Sequence, residues 1–163
     1  MTTVRGDELA PVERLAVLES PSRLPEATWV LRGVVAPERY VTPEEHEALA
    51  AQPAPLGRIA STRAAMIPIL KSGEWWAMSQ VERRSIFEER SHHIASSLPY
   101  LPRIARRLHH SRELGEQFDF VTWFEFSRAD EAAFDELVAT LRATEEWTYV
   151  EREVDVRLSA VPA

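Results

Sequence analysis

The order of the predicted secondary-structure elements from residue 63 onward constrains the fold of this chain more than any other feature. Residues 63–71 have the pattern of a strand, and the capping box between Ser79 and Glu82 starts a helix predicted to run to about Ser97. Four more elements follow: strands at about 103–111 and 118–126, a helix at about 129–142 and a strand at 150–158. This βαββαβ order predicts a ferredoxin-like α+β fold, in which an antiparallel sheet carries both helices on one face.

Side-chain alternation predicts how these strands lie in the sheet. Pro68 inside the first strand predicts an edge position or a bulge, because proline cannot donate to a strand ladder. The third strand is expected to direct one set of side chains to a common face: Phe118, Phe120, Thr122, Phe124 and Phe126. The last strand is expected to face inward through Val150, Val154, Val156 and Leu158. The second sheet face also carries large apolar groups, so we expect N-terminal residues, a ligand or a second subunit to cover it.

The first 62 residues are predicted to be less regular. Residues 1–26 are expected to form an extended arm, with a short helix near residues 12–19. Residues 29–35 have the composition of a buried strand, and a capping box from Thr42 to Glu45 starts a helix that ends near Ala51. We therefore predict an arm (1–26), a truncated N-terminal half-domain (27–62) and a ferredoxin-like domain (63–163).

Composition excludes several classes of function. The net charge of −7 argues against nucleic acid or an anionic membrane as a partner, since both favour a basic protein surface. The absence of cysteine excludes disulfides, thiolate metal sites and cysteine nucleophiles. The start of the chain is charged where a signal peptide needs an apolar run, and no stretch is apolar enough to span a membrane. We therefore expect a soluble, cytoplasmic protein.

The strand at about 103–111 contains an unusual arginine. Neighbouring strand residues point to opposite faces, so Arg106 shares its face with Ile104, Leu108 and His110. A charge directed at an apolar face is costly unless an anion or a hydrogen-bonding group meets it. The position of Arg106 therefore indicates a binding site.

Four of the five histidines occur in two adjacent pairs, His92-His93 and His109-His110. Adjacent residues on a helix or strand point in different directions, so neither pair is suited to chelate one zinc ion. A single axial ligand to a haem iron needs only one imidazole, with a hydrogen-bond partner for its other nitrogen. Periodicity does not choose between His92 and His93 for that role.

Four long stretches of this chain resemble the chlorite dismutase family. They are W-W-A-M-S-Q-V-E-R-R-S-I-F-E-E at 75–89, S-H-H-I-A-S-S-L-P-Y-L-P-R-I-A-R-R-L-H-H-S-R-E-L-G at 91–115, F-D-F-V-T-W-F-E at 118–125 and L-R-A-T-E-E-W-T-Y-V-E-R-E-V-D at 141–155. The similarity is greatest to the short branch, whose subunits have a truncated N-terminal half. The resemblance implies a dimeric α+β barrel of ferredoxin-like halves, with haem b bound in the C-terminal half.

The resemblance also implies roles for individual residues. In the family the proximal histidine precedes the distal arginine by thirteen positions, which matches His93 and Arg106. The carboxylate behind that histidine matches either Glu145 or Glu146. Further haem contacts are implied for four residues: Lys71 at a propionate, Trp75 and Trp76 near the haem, and Tyr40 at a propionate. The glutamine that covers the distal side matches Gln52 if the A-Q-P-A-P-L-G segment carries one extra residue.

The activity implied by the resemblance is the conversion of chlorite to chloride and dioxygen on haem b. Oxygen transfer to the iron gives a ferryl species and hypochlorite, which recombine beneath Arg106, whose planar guanidinium suits a small anion. Two alternatives remain open: a porphyrin-modifying or peroxidase-like haem enzyme, and a haem-binding protein without turnover. The expected partners are chlorite and a second copy of the chain.

Overall fold

A computed structural model describes residues 1–20, 26–35, 39–51 and 54–160. Within these residues six strands form one antiparallel sheet in the order β1-β6-β3-β5-β4-β2. Their bounds are β1 Thr2–Arg5, β2 Val34–Val35, β3 Arg63–Lys71, β4 Ala105–His110, β5 Phe120–Phe126 and β6 Val150–Ser159. The four central strands have the order β6-β3-β5-β4, which is that of a ferredoxin-like βαββαβ unit. The predicted fold class is confirmed.

The helices pack on one face of this sheet. Their bounds are α1 Pro43–Ala51, α2 Gly73–Ala77, α3 Gln80–Arg84, α4 His93–Ser97 and α5 Glu131–Arg142. Helix α5 buries Phe134, Leu137, Val138 and Leu141, the i, i+3, i+4 and i+7 positions of its apolar stripe. These side chains form the main core cluster with the helix-facing residues of β3 and β5.

The helix predicted from Ser79 to Ser97 is not continuous. Its capping box is present, but α3 passes into a π-helical segment at Ser85–Arg90. His92 then adopts the left-handed conformation with φ of 51°, and α4 begins at the next residue. The Glu88 carboxylate accepts hydrogen bonds from the first N–H groups of α4, those of Ile94 at 2.6 Å and Ala95 at 3.1 Å. The break therefore creates a capped helix start at His93.

Three predictions about the strands are wrong. Pro68 lies in the central strand β3, not at an edge. Pairing of β3 with β6 is interrupted between Met66 and Ile69, the stretch that contains Pro68. Phe118 precedes β5 and packs in the outer cluster, away from Phe120. In β6 a register shift opposite Leu70–Lys71 changes the phase of the strand. As a result, Val150 packs with the helices, whereas the later apolar residues of β6 pack on the outer face: Val154, Val156 and Leu158.

The N-terminal residues differ from the prediction in two respects. Residues 12–19 contain no helix, and the only strand in 29–35 is β2, whose two valines are 51% and 65% exposed rather than buried. Residues 1–20 instead supply edge strand β1 and pack apolar side chains on the outer sheet face together with Trp29 and Leu31. The capping box at Thr42 and helix α1 are confirmed. The division into three segments stays a prediction.

Candidate active site

A cavity of about 1320 Å³, including its open mouth, lies between the sheet and the helical layer. Its wall is mostly apolar, with contributions from β3, β4, β5, α4 and α5. The polar side chains in the wall are Arg39, Tyr40, Lys71, His93, Ser97, Arg106, His110, Thr122 and Glu146. Most of the site residues proposed from the sequence therefore meet in one place.

His93 enters the cavity as the first residue of α4, with its imidazole held on one side by a carboxylate. Its Nδ1 lies 2.6 Å from Oε2 of Glu146. Because this carboxylate accepts the Nδ1 hydrogen, Nε2 is left as the nitrogen with a free lone pair. The ring is stacked on Phe87 at 4.4 Å between centroids and lies parallel to Trp147 at 6.4 Å. His93 is thus fixed in both rotation and tautomer.

Glu146 is buried and ionised. Burial alone raises its pKa, but the electrostatic attraction and hydrogen bonds of His93 and Lys71 outweigh burial and lower the pKa to about 2. The Lys71 ammonium donates to Glu146 Oε1 at 2.8 Å, and the Glu146 backbone N–H donates to Ser91 Oγ at 2.9 Å. His93, Glu146 and Lys71 form a chain of charge-assisted contacts behind the histidine.

Lys71 lies beside Glu146, the carboxylate that contacts His93. The residue is 5% exposed, and its ammonium lies 4.5 Å from the centre of the Trp75 ring and pairs with Glu146. An ammonium in that place supports the carboxylate behind His93, and the propionate contact implied by the resemblance stays a prediction. Glu145 is excluded from the same network because it pairs with Arg90 on the surface at 2.7 Å. The choice between the two glutamates is therefore made by geometry.

Arg106 faces the cavity from the sheet, as its strand phase predicted. It is half-buried, pairs with Phe124 of β5 in the antiparallel register, and lines the cavity with Ile104 and Leu108. His93 reaches the cavity from the helical layer and Arg106 reaches it from the sheet. The cavity therefore has an imidazole on the helical side and a permanently charged guanidinium on the sheet side.

Tyr40 forms part of the cavity wall beside Trp75. Its ring lies edge-on to Trp75 at 6.2 Å, and its backbone is left-handed with φ of 65°. The Tyr40 carbonyl accepts from Arg84, which also makes a bidentate ion pair with Glu45 at 2.6 and 2.7 Å. Burial raises the pKa of the Tyr40 phenol, so it is a hydrogen-bond donor at neutral pH.

The paired tryptophans have different environments. Trp75 is 1% exposed and lines the cavity, and its indole Nε1 has no hydrogen-bond partner within the described residues. Trp76 does not line the cavity: its Nε1 donates to Asp119 at 2.9 Å, and its ring stacks on Phe120 at 6.0 Å. Of this pair, Trp75 lines the cavity and Trp76 does not, and the expected haem contact of Trp76 stays a prediction.

Several residues of the site were missed by sequence reasoning. Glu88 and Ser91 fix the start of α4 and the backbone of Glu146, and Trp147 lies beside His93. Polar residues close in sequence to the predicted histidine could have indicated supporting contacts. The contacts that Glu88 and Ser91 make depend, however, on the break in the helix at His92, which the sequence did not predict. His110 lines the cavity, whereas His92 is exposed. Gln52 lies outside the described residues.

The fold and site define a ferredoxin-like α+β protein with a cavity between sheet and helices, lined by a histidine whose Nδ1 contacts a buried carboxylate. The chlorite dismutase family model matches residues 12–161, which is most of the chain. The chain belongs to the chlorite dismutase family. Among the described residues, no helix is long and apolar enough to cross a membrane.

Comparisons with individual proteins agree. The crystal structure of a dimeric chlorite dismutase from Nitrobacter winogradskyi has a TM-score of 0.92 and 54% identity, covering 98% of this chain and 90% of that one. A mutant chlorite dismutase from Candidatus Nitrospira defluvii has a TM-score of 0.68 and 30% identity, covering 81% and 54%. The curated chlorite dismutase of Ideonella dechloratans is 35% identical over 84 residues, 52% of this chain but only 27% of that protein. This chain thus matches about a quarter of the curated relative.

Proposed function

We propose that this chain binds haem b in the cavity and converts chlorite to chloride and dioxygen, ClO₂⁻ → Cl⁻ + O₂. The observation that carries the proposal is the His93–Glu146 contact of 2.6 Å at the wall of an apolar cavity that also contains Arg106. Family membership, and the similarity to named chlorite dismutases, supports the same reaction.

The residues present fit a haem. The cavity is apolar, as a porphyrin ring requires, and one wall offers an imidazole whose second nitrogen is held by a carboxylate. A buried indole N–H of Trp75 lacks a partner among the residues described, and a haem carboxylate is an acceptor of the right chemistry for it. We propose that His93 Nε2 ligates the iron and that Trp75 and Tyr40 contact the haem. When bound, the haem supplies the oxygen-atom transfer chemistry.

The protein's own groups perform two tasks in this proposal. Glu146 keeps the proton on Nδ1 of His93 and makes the imidazole a stronger electron donor, while Lys71 keeps Glu146 ionised. Arg106 would bind anions on the sheet side, where it would hold chlorite and keep chlorine-containing anions derived from it inside the cavity. The apolar wall excludes water, which strengthens both interactions.

We propose that the active form is a homodimer. The similar structure from Nitrobacter winogradskyi is described as dimeric and covers 98% of this chain. Light scattering at micromolar concentration is expected to give twice the mass of the 163-residue chain. A pentamer or a monomer would contradict this assignment.

An oxygen electrode tests the activity. The purified protein is loaded with haem b, its absorption spectrum is recorded to check imidazole ligation, and chlorite is added. Oxygen evolution that depends on haem loading is expected. If the haem-loaded protein has an imidazole-type spectrum but evolves no oxygen, the proposed chlorite reaction is contradicted. The function would then be haem binding without turnover or another haem reaction.

A further inference from the structure

His110, the last residue of β4, is a buried polar group for which the proposed mechanism has no role. It is 3% exposed and lines the cavity, and its Nε2 has no hydrogen-bond partner in the described part of the chain. Burial, together with the charge of Arg39, lowers its pKa, so the imidazole is neutral at pH 7. A buried polar group without a partner is unfavourable unless a ligand supplies one.

The place of His110 in the sheet sets which part of a ligand it can reach. It follows Arg106 by four residues on the same face of β4, which is about 13 Å at the rise of an antiparallel strand. Its imidazole is held edge-on against Phe120, with ring centroids 5.3 Å apart. Because Arg106 marks the reacting centre, His110 lies at the periphery of a molecule bound in the cavity.

The surroundings of His110 favour an anionic group. Arg39 also lines the cavity, and its own partner Glu113 lies on the surface at 2.9 Å. The carboxylate in the described cavity wall is that of Glu146, which is committed to His93 and Lys71. The peripheral groups of haem b that accept hydrogen bonds are its two carboxylates. We infer that His110 is a haem-binding residue whose Nε2–H donates to a carboxylate of the haem, an inference that rests on the proposed placement of haem in this cavity.

The test compares two porphyrins that differ only at these carboxylates. Affinities of wild type and His110→Leu are measured by absorption titration with haem b and with haem b dimethyl ester, which cannot present a carboxylate. His110→Leu is expected to lose about 10- to 100-fold in affinity for haem b, the range for one hydrogen bond to a charged group, and to bind the ester as wild type does. His110→Asn, which keeps an N–H donor, should recover part of the loss.

His109→Leu is the matched control, because His109 lies on the opposite face of β4 with its Nδ1 3.2 Å from the Val121 carbonyl. It should change neither affinity beyond about twofold. Equal losses for both porphyrins in His110→Leu would show that His110 only packs, and no loss for either would also overturn the inference.

A measurement on the unmodified chain avoids dependence on a variant that fails to fold. Diamagnetic zinc protoporphyrin IX is added to ¹⁵N-histidine-labelled protein, and the His110 Nε2 resonance is followed by NMR. It is expected to shift further with the free acid than with its dimethyl ester, since only the free acid offers a carboxylate; the same shift with both contradicts the inference. Neither experiment uses chlorite, so a protein that binds haem with this preference but evolves no oxygen refutes only the proposed activity.

Discussion

Replacing Glu146 by Gln is predicted to lower the free energy of unfolding of the haem-free protein by about 3 kcal/mol at pH 7. The pKa of Glu146 is lowered from 4.5 to about 2, a difference that corresponds to about 3 kcal/mol of stability. The substitution also leaves the ammonium of Lys71, a residue that is 5% exposed, without its carboxylate. Removing one partner of a buried ion pair costs about 3–5 kcal/mol, in agreement with the first figure.

The sign of the pH dependence follows from the direction of the shift. Because the pKa is lower in the folded protein, the stabilisation is present above the unfolded pKa of 4.5 and is lost as the pH falls toward about 2. The difference in stability between wild type and Glu146→Gln is therefore expected to be fully developed above pH 4.5. It should shrink below pH 4.5.

Urea unfolding followed by tryptophan fluorescence measures this loss. With a slope of about 1–3 kcal/mol per molar urea, the midpoint should fall by about 1–3 M. Glu145→Gln is the control, since it removes only an exposed pair with Arg90 and should cost less than about 1 kcal/mol. The double variant Lys71→Met with Glu146→Gln should recover much of the loss. Equal midpoints for Glu145→Gln and Glu146→Gln would refute the assignment of Glu146 as the buried partner of Lys71.

Three further predictions concern other residues of the site. His93→Ala should abolish stable haem binding in absorption spectra, whereas His92→Ala should leave the Soret band intact; the reverse pattern would show that the wrong histidine was assigned. Arg106→Ala should leave haem bound but slow oxygen evolution and release hypochlorite to a chemical trap, and Arg106→Lys should restore only part, since it lacks the planar fork; equal oxygen yield and enzyme lifetime would contradict the anion-binding role. Glu88→Ala should lower the unfolding free energy by about 1–2 kcal/mol through loss of the α4 cap, and urea midpoints unchanged from wild type would exclude that cap.

The sequence predicted the parts of the fold that depend on regular periodicity. The face of Arg106 was predicted correctly because β4 alternates without interruption next to β5. The same reasoning failed for β6, where a register shift opposite Leu70–Lys71 changes which side chains face the helices. A shift of one residue moves every later side chain to the other face, and nothing in the alternation of β6 itself signals it.

The site was predicted less completely than the fold, for two physical reasons. The break before His93 depends on His92, which has a left-handed backbone although it is not glycine. It also depends on the Glu88 carboxylate, which caps α4 from the preceding helical segment by accepting the Ile94 N–H. The support behind His93 depends on contacts between residues far apart in the chain, since Lys71 and Glu146 are separated by 75 positions. Residue types could suggest a carboxylate near Glu145 or Glu146, but only the geometry distinguishes them.

Isotope analysis of the dioxygen tests the central claim most directly, namely that the cavity between His93 and Arg106 joins the two oxygen atoms of one chlorite ion. Haem-loaded protein is given chlorite labelled with ¹⁸O at both positions in unlabelled water, and the gas is analysed by mass spectrometry. The proposal predicts one dioxygen for each chlorite consumed, with both atoms labelled. Dioxygen carrying atoms from water, or chlorite consumed without dioxygen, would contradict it.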